Sequence, residues 1–91
     1  MKTIIMKVAK TTGEAKAVGQ TFVKQIHLRS LDSFERDGRI YGSLVADLWG
    51  NAAQCKYYED DLVAVVLSFS TRTADDTAFN DISVRSIEKI G

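Results

Sequence analysis

Proline is absent from this 91-residue chain, cysteine and histidine occur once each, and twelve basic residues cancel twelve acidic ones. Without proline there is no proline-rich linker. With no internal repeat or low-complexity tract either, the chain reads as one domain over residues 1–91, large enough for a single core and no more. A lone cysteine, Cys55, forms no internal disulfide and no thiolate cluster, so it is expected as a small buried apolar residue in a reducing compartment. His27, the one histidine, lacks the second imidazole or the thiols that a metal site takes. Because no Ser-His-Asp order, phosphate loop or glycine fingerprint is present, neither an enzyme nor a bound cofactor is expected. The zero charge balance removes any global positive field, so binding of a polyanion must come from a local patch. Long apolar runs are missing too: Lys7 interrupts the stretch from Met1 to Val8 before it reaches the length of a secretory core, and nothing later would span a membrane. A cytoplasmic protein is the expectation.

What is present is an ordinary globular composition, 45% hydrophobic and 26% charged, much of it arranged with the two-residue period of β-strands. Thr3 to Lys10 reads as a first strand ending at Thr11-Thr12-Gly13, followed by a loop from Glu14 to Gln20. From Thr21 to Arg29, Ile26 and Leu28 alternate with Gln25, His27 and Arg29, which gives one apolar and one polar face. Ser30 to Gly38 is expected to be a hairpin connection closed by Asp37-Gly38. The third strand starts at Arg39 and points Ile40, Leu44, Ala46 and Leu48 inward. Tyr41, Ser43, Val45, Asp47 and Trp49 then face outward, with Gly42 where the strand must bend.

Asn51 is placed to N-cap a helix over Ala52 to Tyr58, too short to be stable alone. Asp61 to Arg72 is the longest β-run. It is expected to send Val63, Val65, Leu67 and Phe69 inside, leaving Leu62, Ala64, Val66 and Ser68 as a fairly apolar outer face that the helix or another subunit covers. After a polar turn at Thr73 to Thr77, Phe79 to Ile90 forms the last strand, with Ile82, Val84 and Ser86 alternating against Ser83, Arg85 and Ile87. A single helix between the third and fourth of five strands plugs the open end of an OB barrel. The fold class expected is therefore all-β, a five-stranded OB-fold Greek-key barrel with one short helix.

The stretch Leu48-Trp49-Gly50-Asn51-Ala52-Ala53, with Val63-Ala64-Val65 leading to Thr71-Arg72-Thr73, resembles the matching part of bacterial replication single-stranded-DNA-binding proteins. Over nearly its whole length the chain also resembles a family of small OB-fold proteins from Bacteroidetes. That likeness is carried by Thr12-Gly13 with Gly19, Lys24-Gln25, Trp49-Gly50, Asp61-Leu62-Val63-Ala64-Val65 and Phe79-Asn80-Asp81-Ile82. The resemblance implies an OB fold and a surface for single-stranded nucleic acid. Where the replication proteins stack bases on further aromatics, this sequence has Ser43 and small residues, and it keeps chiefly Trp49.

The candidate nucleic-acid contacts are Trp49 and Tyr41 as stacking rings, with Lys24, Arg29, Arg39 and Arg72 as phosphate contacts around them. Each has a second reading. Trp49 and Tyr41 equally suit packing over the helix start or an interface, and isolated basic residues on strands commonly serve as solvated edge guards. The acidic pairs Asp60-Asp61 and Asp75-Asp76 lie at opposite ends of one long strand, too far apart to act together, and are expected as turn residues. Two functions follow. One is low-specificity binding of single-stranded DNA or RNA; the other is a protein-interaction or scaffold module working through a homodimer, a higher homo-oligomer or a protein partner.

Overall fold

The computed structural model describes residues 2–90, with the backbone path alone at residues 11–14. Five strands, β1 (Ile4–Val18), β2 (Thr21–Arg36), β3 (Arg39–Trp49), β4 (Leu62–Ala74) and β5 (Thr77–Lys89), are joined by tight turns and one helical turn, α1 (Asn51–Gln54). They make a single sheet that closes on itself in the order β1-β2-β3-β5-β4. Three of the contacts are long antiparallel hairpins or ladders, β1 with β2, β2 with β3 and β4 with β5. The ring is completed by two thin seams. β1 meets β4 from Ile4 opposite Val65 to Lys7 opposite Leu62, and β3 meets β5 in parallel at one pair, Asp47 opposite Ser83.

Strand alternation sends one row of side chains into the ring. Val8, Leu28, Leu48, Val63 and Val65 are completely buried there, joined by Met6, Ile26, Ala46 and Leu67. Each such aliphatic side chain removed from water contributes about 1.5–3 kcal/mol. Ala53 of α1 and Tyr57 just after it belong to the same cluster, so the connection between β3 and β4 closes one end of the ring with apolar side chains. Among the described residues no polar or charged side chain is buried.

Several sequence expectations are corrected by how strands pair. β1 runs on to Val18 instead of ending at Lys10, because a bulge absorbs the glycine turn: Thr12 faces Gln25 and Lys16 faces Val23, leaving residues 13–15 opposite residue 24 alone. β2 likewise continues past Arg29 to Arg36, with residues 30–33 bulged against Gly42, and only Asp37-Gly38 forms the turn. On β5 a bulge at Arg85 shifts the alternation, so that Ile87 faces Val65 and packs on the core while Ser86 turns outward. Phe69 is 58% exposed rather than internal. It follows Leu67 in the inward row, but there the β4–β5 hairpin has already passed the rim of the ring and pairs only with itself.

The helix is shorter than expected and is capped differently. It ends at Gln54, its N-cap is Gly50 at φ 65°, and the Asn51 side chain makes no capping bond. Two carbonyls that would continue it are taken by lysines: Lys24 Nζ donates to the Cys55 carbonyl at 2.9 Å and Lys89 Nζ to that of Lys56 at 3.4 Å. Cys55 is extended and exposed, and Tyr57 takes the buried place assigned to it. α1 packs chiefly on β2 and β3, so it leaves the outer side of β4 uncovered.

Candidate functional site

Because Ile26, Leu28, Ala46 and Leu48 fill the core, their neighbours on β2 and β3 must face outward. The register pairs them across the two strands as Val23 with Trp49, Gln25 with Asp47, His27 with Val45 and Arg29 with Ser43. The result is a mixed, mostly polar strip on the outside of the sheet. An indole stands at one end, where Trp49 closes β3 just before the Gly50 corner and is 46% exposed.

The other end is built by the glycine expected to bend the strand. Gly42 sits at φ 85°, a left-handed conformation that favours glycine, and a Cβ there would lie 2.9 Å from Ser30 Oγ, so that hydroxyl would have to move aside for any other residue. Beyond it the two strands re-pair as an arm, with Phe34 opposite Tyr41. The two rings stack at a centroid distance of 5.0 Å and an interplanar angle of 13°. Both remain exposed. Arg29 holds the arm to the body, donating from Nε to Ser33 Oγ at 2.7 Å and from Nη1 to Glu35 Oε1 at 2.9 Å.

The basic residues singled out from the sequence are therefore not equivalent. Lys24 lies on the inward row at the plugged end and is bonded to the Cys55 carbonyl. Arg29 is committed to Glu35, and Arg72, on the β4–β5 hairpin, pairs with Asp81 at 3.0 Å while lying over the Phe79 ring. Arg39 is exposed at the start of β3, facing Arg36 across the ladder. Tyr41, Trp49, Arg29, Arg39 and Lys24 thus all lie on the β2–β3 hairpin, but Lys24 is on its inward row at the plugged end, and Arg72 stands apart on the β4–β5 hairpin.

Phe34 was missed by sequence reasoning, which gave it to a connection. The signal was available: a two-residue turn at Asp37-Gly38 makes Arg36 face Arg39, and counting back along the ladder sets Phe34 against Tyr41. A separate open cleft of ≈ 440 Å³ lies on the β4–β5 hairpin, lined by Phe69, Thr71, Asn80 and Ile82 among others. Among the described residues no cluster of three or more His, Cys, Asp or Glu could hold a metal ion, and no helix is long and apolar enough to cross a membrane. No protein-family model matches the chain, and no curated protein matches it.

Proposed function

We propose that this chain is an OB-fold barrel that binds single-stranded nucleic acid, DNA in the first instance, with little sequence preference along the outer face of β2 and β3. The observation that carries the reading is the pair of exposed aromatic stations, Trp49 and the Phe34–Tyr41 stack, towards the two ends of the β2–β3 hairpin. It is supported by the ring order β1-β2-β3-β5-β4 with a helical turn between β3 and β4, because OB barrels use the face of their second and third strands for oligonucleotides. Each base stacked on a ring contributes roughly 1–3 kcal/mol whatever its identity. Lys24, Arg29 and Arg72 are engaged within the chain, so few phosphates are neutralised and the salt dependence is shallow, about 0.7 log units per contact. A cytoplasmic location goes with this function. Titrating the protein with oligo-dT at low salt should quench Trp49 fluorescence and retard the oligonucleotide in a gel; absence of both at tens of micromolar defeats the proposal.

A second reading, a protein-interaction or scaffold module acting as a homo-oligomer, is favoured by a different surface. Ile5 is 40% exposed beside the half-buried Leu62, Ala64 and Val66 on the outside of the β1–β4 seam, and α1 does not cover them. Light scattering on wild type and Val66→Lys separates the two. An assembly that falls apart in Val66→Lys, with no nucleic acid bound by wild type, selects the scaffold.

A further inference from the structure

We infer that the arm of the β2–β3 hairpin is a nucleotide clamp in its own right, with the Phe34–Tyr41 stack receiving a base and Arg36 with Arg39 receiving a phosphate of the same strand. The inference rests on the nucleic-acid reading and extends it to residues beyond the strip that faces away from the core.

The ladder at the arm runs without interruption, Phe34 opposite Tyr41, Glu35 opposite Ile40 and Arg36 opposite Arg39. Alternation therefore puts Phe34, Tyr41, Arg36 and Arg39 on one face and Glu35 and Ile40 on the other. The second face is the one that Arg29 grips through Glu35, which leaves the aromatic and arginine face free. Phe34 is 57% exposed, and the nearly parallel rings present open π-surface on which a third ring can continue the stack.

Two guanidinium groups directly across a ladder repel each other and destabilise the hairpin. Among the described residues the one carboxylate paired with either is that of Asp37, 3.9 Å from Arg36 Nε. Among the described residues Arg39 has no ion pair, in contrast to Arg29 and Arg72, each of which has its own carboxylate. A phosphate between the two forks removes that repulsion and accepts several charge-assisted hydrogen bonds at once. Neighbours on one face of a strand are about 7 Å apart, a spacing that one nucleotide bridges between its base and its phosphate. An acidic peptide would satisfy the arginines but make no use of the adjacent stack.

The test uses the whole chain and a fluorescein-labelled dT oligomer of about twelve nucleotides, within the span one OB fold covers. Anisotropy is followed across a salt series for wild type, for Arg36→Gln with Arg39→Gln, and for Tyr41→Ala, with circular dichroism confirming the fold of each. The arginine pair should account for about 1.4 units of the slope of log K against log salt. Loss of Tyr41 should weaken binding roughly five- to hundredfold. If wild type binds with Trp49 quenching and both variants keep its affinity and slope, the clamp is overturned while the general reading stands. If polyglutamate displaces the oligomer as well as unlabelled dT does and Tyr41→Ala is neutral, the arm is an anion patch and the clamp is again overturned. No binding by wild type removes both.

Discussion

Lys89 Nζ lies 3.2 Å from Asp61 Oδ2 and 5.4 Å from the centroid of the Tyr58 ring, so the end of β5 reaches back over the segment that closes the ring. Asp61 also accepts the Tyr58 backbone N–H at 2.8 Å. That bond first, and Lys89 second, hold the Asp61 carboxyl below its ordinary value of 3.8. A carboxylate whose folded pKa is depressed stabilises the fold fully above the unfolded value, and the contribution is lost as pH falls from there toward the folded one. The melting temperature of wild type should therefore drop more steeply below about pH 4 than that of Asp61→Asn. Equal acid limbs for the two proteins would remove this latch from the stability of the fold.

Val65 has no exposed surface and sits between Ile4 and Ile87. An aspartate there would be an unpaired buried charge costing several kcal/mol, comparable with the whole stability of a domain of this size. Val65→Asp should yield a chain without cooperative thermal unfolding. Ser68→Asp, on the outward row, should melt within a few degrees of wild type.

Gly42→Ala should lower stability by about 1–2 kcal/mol from its left-handed backbone alone, with a further loss from the contact with Ser30 Oγ. Adding Ser30→Ala should recover only the second part. Denaturant midpoints for the single and double variants separate the two contributions.

The β4–β5 turn is made of Asp75 at φ 52° and Asp76 at φ 63°, both in the left-handed region. Two-residue turns of this kind favour Asn-Gly. Asp75→Asn with Asp76→Gly should raise stability by about 1 kcal/mol, read as an increase of roughly 4–8 °C in melting temperature.

If the chain self-associates through the bare side of the β1–β4 seam, Val66→Lys should shift it toward monomer in sedimentation without changing its melting at low concentration. Val66 is half-buried and faces outward opposite Ser86, so a lysine reaches water without entering the core. A monomeric wild type at a hundred micromolar would dispose of this surface.

Alternation read most of the residues that fill the ring from β2, β3 and β4, since Ile26, Leu28, Ala46, Leu48, Val63, Val65 and Leu67 are buried as their period requires, but it also sent Ile40 and Phe69 inward, which lie on hairpin arms outside the core. Asp37-Gly38 marked its turn correctly. Bulges were not legible, because an extra residue at Arg85 or at 30–33 is a property of two paired strands, and one strand's pattern does not reveal its partner's register. For the same reason the strands overran their apolar segments: polar hairpin arms are held by cross-strand pairing, not by burial. The exposure of Trp49 and Tyr41 followed from parity, but the partners of the basic residues did not. Lys24 meets Cys55 across 31 positions of sequence, and no local pattern announces such a contact.

The uneven closure of the ring also sets how it can move. β3 and β5 share a single backbone pair, Asp47 with Ser83, whereas the β2–β3 and β4–β5 hairpins are continuous over most of their length. Parting that seam would break few backbone hydrogen bonds, its resistance coming instead from the core side chains Ala46 and Leu48 behind it, while each hairpin is held along its length by its own ladder. The two hairpins then behave as stiff leaves on a narrow spine. Tyr41 and Trp49 ride on the same leaf, so the distance between them survives each opening of the ring.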